Sequence, residues 1–207
     1  MKKTSLGELI ANAISHGVGV IFAVVALVLL LINSSGTAEV LSSIAFGVSM
    51  ITLYLCSTLF HSFPEKMKRV YTVFQRLDHS SIFLLITGTY TPFLVLVVNS
   101  TKGYILLGIL WGITVVGIML KAIWIDKFKY VHLALYLIMG WSIMFVSNDI
   151  IGQLDNTFIY VLLGGISYTV GVAFYVSKFK YAHFVWHLFV LSGSVLHFIA
   201  IYMIILR

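Results

Sequence analysis

Charge is scarce in this chain. Only 10% of its 207 residues are Asp, Glu, Lys or Arg, against about 25% in a soluble domain. Proline is nearly absent at 2 residues, and no Ser/Gly-rich or low-complexity tract interrupts the sequence, so residues 1–207 read as one domain. A single cysteine, Cys56, excludes an internal disulfide and leaves the redox compartment open. What fills the chain is apolar: 60% hydrophobic residues and a mean hydropathy of +1.05. A soluble fold holds about 45–50%, so the chain reads as a multi-pass protein of the cell membrane with lipids as its partners. The net charge of +6 does not point to nucleic acid, because the basic residues lie between apolar runs, where they meet lipid headgroups.

Runs of roughly 20 apolar residues are needed to cross a bilayer. Seven are present, at about 13–32, 39–62, 77–98, 103–124, 129–148, 157–177 and 182–206. They lack the two-residue alternation of a membrane barrel, so the expected fold is an all-α bundle of seven transmembrane helices. The initial "MKK" and Ala11-Asn12-Ala13 imitate a secretion signal. The small-residue box precedes the apolar run instead of following it, and the first span is expected to be retained. Lys and Arg set the direction. Lys2, Lys3, Lys66, Lys68, Arg69, Arg76, Lys121, Lys127, Lys129, Lys178 and Lys180 fall on one side of a seven-span chain, and Lys102 and Arg207 on the other. That asymmetry predicts a cytoplasmic N-terminus and an external C-terminus. Between spans two and three, Met67, Val70, Tyr71 and Phe74 follow a helical stripe that fits a short interfacial helix. Pro92 predicts a kink in span three, and Gly108-x-x-x-Gly112 a close helix contact. His132 is expected at the interface, and Cys56 in plain packing.

Ionisable residues inside apolar helices are functional candidates by default. "YAHFVWHL" places His183 and His187 four positions apart, on one face of span seven. Span two ends at the same depth with "CSTLFHSF", bringing His61, with Ser57 one turn below it. Span three starts there with "RLDHSS", bringing Asp78 and His79. Three neutral imidazoles with an open fourth position suit a catalytic zinc ion, and a nearby carboxylate can act as base or orient a ligand. The same residues would also make a buried hydrogen-bonded cluster or a proton relay, and the pattern does not separate these readings. Glu8, Asn12 and His16 form a stripe on span one that would line the mouth of the site or cap the helix. His197 lies ten residues beyond His187, about 15 Å deeper, too far for the same ion; it is expected to bond a neighbouring helix.

At these residues the chain resembles the hemolysin III branch of the progestin and adipoQ receptor family over nearly its whole length. "ELIANAISH" is similar to the family's first motif, "STLFHSF" followed by "LDHSSI" to its second, and "HFVWHLFVLSGSVLHF" to its third. The resemblance implies a zinc ion held by His61, His183 and His187, with Asp78 and Ser57 beside it. It also implies kinship with alkaline ceramidases. His79 stands where eukaryotic members usually carry Tyr, and a long soluble N-terminal domain is missing; both weigh against a hormone-receptor role. Two functions are therefore expected. One is a zinc-dependent hydrolase of a lipid amide or ester near the inner leaflet, with Asp78 accepting the proton and Ser57 supporting the oxyanion. The other is a non-enzymatic lipid or fluidity sensor, or a lytic hemolysin-like factor, with a structural zinc.

Overall fold

A computed structural model describes residues 5–124 and 128–207. Lys2, Lys3 and Lys127, used above to argue direction, lie outside the described residues. Helices α1 (Leu6–Asn33), α2 (Thr37–Ser62) and α3 (Lys68–Pro92) are followed by a π-helical segment, Phe93–Val98, and then α4 (Thr101–Ile123). Next come α5 (Lys129–Gly140), a 3-10 segment (Ser142–Val146), α6 (Ser147–Leu154), a second 3-10 turn (Asp155–Thr157), α7 (Phe158–Val176) and α8 (Ala182–Ile205). No strand occurs among the described residues. Among the described residues, seven helical stretches are long and apolar enough to cross a membrane, the fifth being Tyr130–Leu154, in which α5 and α6 are joined by the 3-10 segment.

The helices sort their residues inside out. Apolar side chains such as Ile10, Val18, Ile21 and Val28 on α1, and Ile105, Ile109, Val116 and Met119 on α4, stay exposed and form the face that meets lipid. Small polar residues turn inward: Ser42, Ser43, Ser49 and Ser57 on α2, and Ser81, Thr87, Thr89 and Thr91 on α3. With apolar surroundings on both sides, helices associate through close packing and hydrogen bonds. Gly88 shows the first. A methyl group there would collide with the Ser49 hydroxyl and the Ala45 carbonyl, so α2 and α3 touch backbone to side chain. Thr87 and Thr114 show the second, with their hydroxyls 2.6 Å apart between α3 and α4. The third span is the central one: 67% of its apolar window is buried, against 22% or less in the fourth, fifth and sixth.

Three boundaries differ from expectation for physical reasons. Span one starts at Leu6, because Ser5 and Glu8 form a reciprocal capping box that begins the helix early. The stripe of Val70, Tyr71 and Phe74 does not form a separate interfacial helix. It is the first two turns of α3, held against the end of α2 by Tyr71 on Phe60 and Phe74 on Phe63, with ring centroids 4.9 and 5.0 Å apart. Residues 149–156, between the expected spans five and six, are largely α6 and belong to span five. At Pro92 the helix type changes. This residue has no N–H to continue the ladder, and the chain passes into a wider π turn that closes at Asn99, in the left-handed region at φ 37°. The Gly108-x-x-x-Gly112 contact is absent: nothing approaches a methyl group built at either glycine. Both lie on the outward face of α4.

Candidate metal centre

The site is assembled at the junction of α1, α2 and α8. Helix α8 begins abruptly after Tyr181, whose φ of 65° is unusual for a bulky residue. A carboxylate holds it: Glu8 Oε1 on α1 accepts the Tyr181 N–H at 2.9 Å, while Glu8 Oε2 accepts the Ser5 N–H and hydroxyl. The Glu8 side chain thus ties the start of α1 to the start of α8, one turn before the histidine pair.

From that start, His183 and His187 face one way along α8 and meet His61 from the last turn of α2. Ring centroids are 5.1 Å apart for His61 and His183, 5.1 Å for His61 and His187, and 4.7 Å for His183 and His187. One ligand nitrogen from each can be chosen so that all three lie within 4.8 Å of one another, and this group could hold a metal ion. His187 is 1% exposed; His61 and His183 are half-buried.

The hydrogen bonds around His187 decide which nitrogen is free. Ser15 donates its hydroxyl hydrogen to the Asn12 carbonyl at 2.9 Å. His187 Nδ1 lies 3.0 Å from Ser15 Oγ and 3.2 Å from the Asn12 carbonyl oxygen. A carbonyl only accepts, and the serine hydrogen is already placed, so the network assigns the imidazole hydrogen to Nδ1. Nε2 keeps its lone pair. His61 Nε2 is buried with no hydrogen-bond partner, a polar atom that a metal would satisfy. A donor set of neutral imidazoles, one oriented by a second hydrogen bond, fits a borderline-soft divalent ion.

His16 was placed on the stripe of span one without a firm role. It stacks flat on His187, with centroids 3.5 Å apart and planes 10° from parallel, and it is buried with both nitrogens unpartnered. It stands edge-on to Tyr54 at 5.1 Å. Of the two roles weighed for the stripe, Glu8 takes the cap, and Asn12 and His16 take the lining. Ser15 was visible only as part of a motif, because nothing in the sequence says which helix packs on α8.

Asp78 and Ser57 meet each other. The Asp78 carboxyl lies beside the Ser57 hydroxyl and His79, although Ser57 Oγ is buried without a hydrogen bond of good geometry. Ser57 is one turn before His61 on α2, so α3 brings Asp78 to the helix that carries one member of the triad. The His79 Nδ1 donates to the Gln75 carbonyl at 2.7 Å, and its own carbonyl accepts the Tyr136 hydroxyl at 2.8 Å. Two other histidines lie outside the site. His132, expected at the interface, is buried between Phe83 and Phe128 with no hydrogen-bond partner on either nitrogen; helix α5 turns it inward instead of along the surface. His197 behaves as expected, donating from Nε2 to the Val161 carbonyl of α7 at 3.1 Å.

An apolar cavity of about 110 Å³ lies between α3, α5, α7 and α8. Tyr175 and Trp186 form its near wall, with the Tyr175 ring 6.2 Å from that of His183.

The family model described as "Haemolysin-III related" matches residues 7–198. The chain is 42% identical to "Hemolysin-3" of Bacillus cereus over 200 residues, covering 94% of this chain and 90% of the relative. It is 40% identical to "Hemolysin-3 homolog" of Bacillus subtilis (strain 168) over 202 residues, covering 95% and 94%. A more distant likeness, 28% over 212 residues, links it to human "Monocyte to macrophage differentiation factor", covering 99% and 87%. With seven membrane-length helices and a match from the first span to the last, this chain belongs to the haemolysin III family of multi-pass membrane proteins.

Proposed function

We propose that the protein is a zinc-dependent hydrolase that cleaves a lipid amide or ester within the membrane, at the depth of the inner-leaflet carbonyls. The supporting observation is the pairing of two features: three imidazoles whose ligand atoms lie within 4.8 Å of one another, and an apolar cavity whose wall residue Tyr175 has its ring 6.2 Å from that of His183. His61, His183 and His187 hold the ion. Zinc, when bound, supplies a Lewis acid that polarises a carbonyl and makes water reactive near pH 7, about its lowered pKa. Asp78 takes the proton that water gives up as its oxygen bonds to the acyl carbon, and returns it to the departing amine or alcohol as the C–N or C–O bond breaks. The Ser57 hydroxyl, beside the Asp78 carboxyl, donates to the oxygen that becomes negative.

A second reading has its own support. The Bacillus cereus relative is named for lysis, and the hydrogen bonds clamping His187 would equally serve a structural zinc pin in a sensor or lytic factor.

One set of variants separates the readings. Purified His61→Ala should lose most of its zinc by elemental analysis, because two ligands cannot hold a tetrahedral ion. Asp78→Asn should retain zinc and lose lipid turnover by about 10²–10⁴-fold, as expected when a general base is removed. Equal turnover per zinc in wild type and Asp78→Asn removes Asp78 as the base. Stoichiometric zinc in a variant lacking all three histidines removes the site.

A further inference from the structure

His187 is held from two directions. Its edge is fixed by the bond from Nδ1 shared between Ser15 Oγ and the Asn12 carbonyl, at 3.0 and 3.2 Å. Its face is covered by His16, with centroids 3.5 Å apart and planes 10° from parallel. His16 is itself wedged. The Tyr54 ring meets it edge-on at 5.1 Å, and Tyr54 is fully buried, its hydroxyl donating to Ser194 of α8 at 2.7 Å. Gly19, one turn along α1 from His16, leaves room for that ring; a methyl group there would strike it. The stack thus draws on α1, α2 and α8.

His16 is not a ligand in this position. An imidazole binds an ion in its own ring plane, at about 2.0–2.1 Å. With the rings this nearly parallel, an ion in the plane of His187 stands about 3.5 Å out of the plane of His16. Among the described residues, the imidazoles that can share one ion are the other three.

Packing alone accounts poorly for an imidazole here. Both His16 nitrogens are buried without a hydrogen-bond partner, a cost that a phenyl ring would not carry. Like rings also avoid full overlap, because both faces are negative, and a separation near van der Waals contact, about 3.5 Å, leaves almost no sideways offset. A positive ion on His187 Nε2 changes that balance. It draws electron density out of the His187 ring, and the electron-rich face of His16 then attracts the ring it covers. The contact is stronger with the ion bound than without it, so it adds to the affinity for the ion.

We propose that His16 is a positioning residue for the metal centre: its flat face holds the plane of His187, so that Nε2 is aimed at the ion, and supports that ring once the ion is bound. The inference rests on the triad being a metal site and not on hydrolysis.

The test is zinc affinity of the full-length protein in lipid nanodiscs by chelator competition, with Co²⁺ as a spectroscopic probe of the same site. His16→Leu keeps apolar bulk and loses the flat face; His16→Phe keeps the face and loses the nitrogens. His16→Leu should bind zinc about 10–100-fold more weakly, as when an outer partner of a metal ligand is lost, and should shift the visible Co²⁺ bands as the His187 ring tilts. His16→Phe should hold zinc close to wild-type affinity and keep the wild-type bands. Should His16→Leu fail to fold, the smaller His16→Ala takes its place with the same expectation. Wild-type affinity in His16→Leu or His16→Ala overturns the inference. So does a His16→Phe as weak as either, which puts the role in the nitrogens. A wild type that takes up neither ion removes the metal centre and this inference together. Zinc held in the expected order of affinities, with no lipid turnover, keeps this inference and removes the hydrolase reading.

Discussion

Ser15 stands closer to the function than its place in an apolar helix suggests. Its oxygen and the Asn12 carbonyl share the Nδ1–H of His187 at 3.0 and 3.2 Å, which points Nε2 toward the other two imidazoles. Removing such an outer partner lowers metal affinity about 10–100-fold. Ser15→Ala should fall near the low end, because the Asn12 carbonyl remains as acceptor; chelator competition on purified protein measures it, and an unchanged affinity would show that the bond orients nothing. The three ligand candidates themselves were legible in the sequence. The i, i+4 spacing of His183 and His187 puts them on one face, and the end-of-span position of His61 sets its depth. Ser15 and the flat stacking of His16 were not, because they depend on α1 packing between α2 and α8. The Tyr54–Ser194–Tyr168 cluster, with bonds of 2.7 and 2.8 Å, left no periodic signal either: each is a lone polar residue in an apolar run.

Among the elements, glycine shows how far spacing alone misleads. Gly108 and Gly112 have the spacing of a packing motif, yet they face outward from α4; Gly88 has no such partner in sequence, yet it sits against the Ser49 hydroxyl and the Ala45 carbonyl. Gly88→Ala should therefore destabilise the protein by about 1–3 kcal/mol, as overpacking does. Gly108→Ala should be neutral or stabilise by up to about 1 kcal/mol, through helix propensity alone. Thermal unfolding in detergent compares the two, and a larger loss in Gly108→Ala would put the α2–α3 contact in the wrong place. The seven spans were readable because each is long and apolar. The entry into span three and the end of span five were not, since aromatic contacts onto α2 and a 3-10 joint are products of tertiary packing.

For the molecule as a whole, the distribution of charge predicts how it sits in the membrane. Lys66, Lys68, Arg69, Arg76, Lys121, Lys178 and Lys180 gather at the end that carries the histidines, whereas Lys102 at the other end is paired with Asp149 at 3.7 Å. The positive-inside rule predicts that this end, with the histidine triad, faces the cytoplasm. In a Cys56→Ser background, Ser35→Cys should label from outside intact cells and Lys68→Cys should be protected; the reverse pattern would invert the protein. Both positions are exposed, so access and not burial controls the result. One further property follows from where the indoles stand. Of the four tryptophans, Trp141 and Trp186 line the cavity, whereas Trp111 belongs to α4 and Trp124 follows it. Half of the protein's tryptophans thus look into the chamber beside the histidines, and a brominated acyl chain entering it would quench their emission, so the molecule carries its own optical gauge of occupancy.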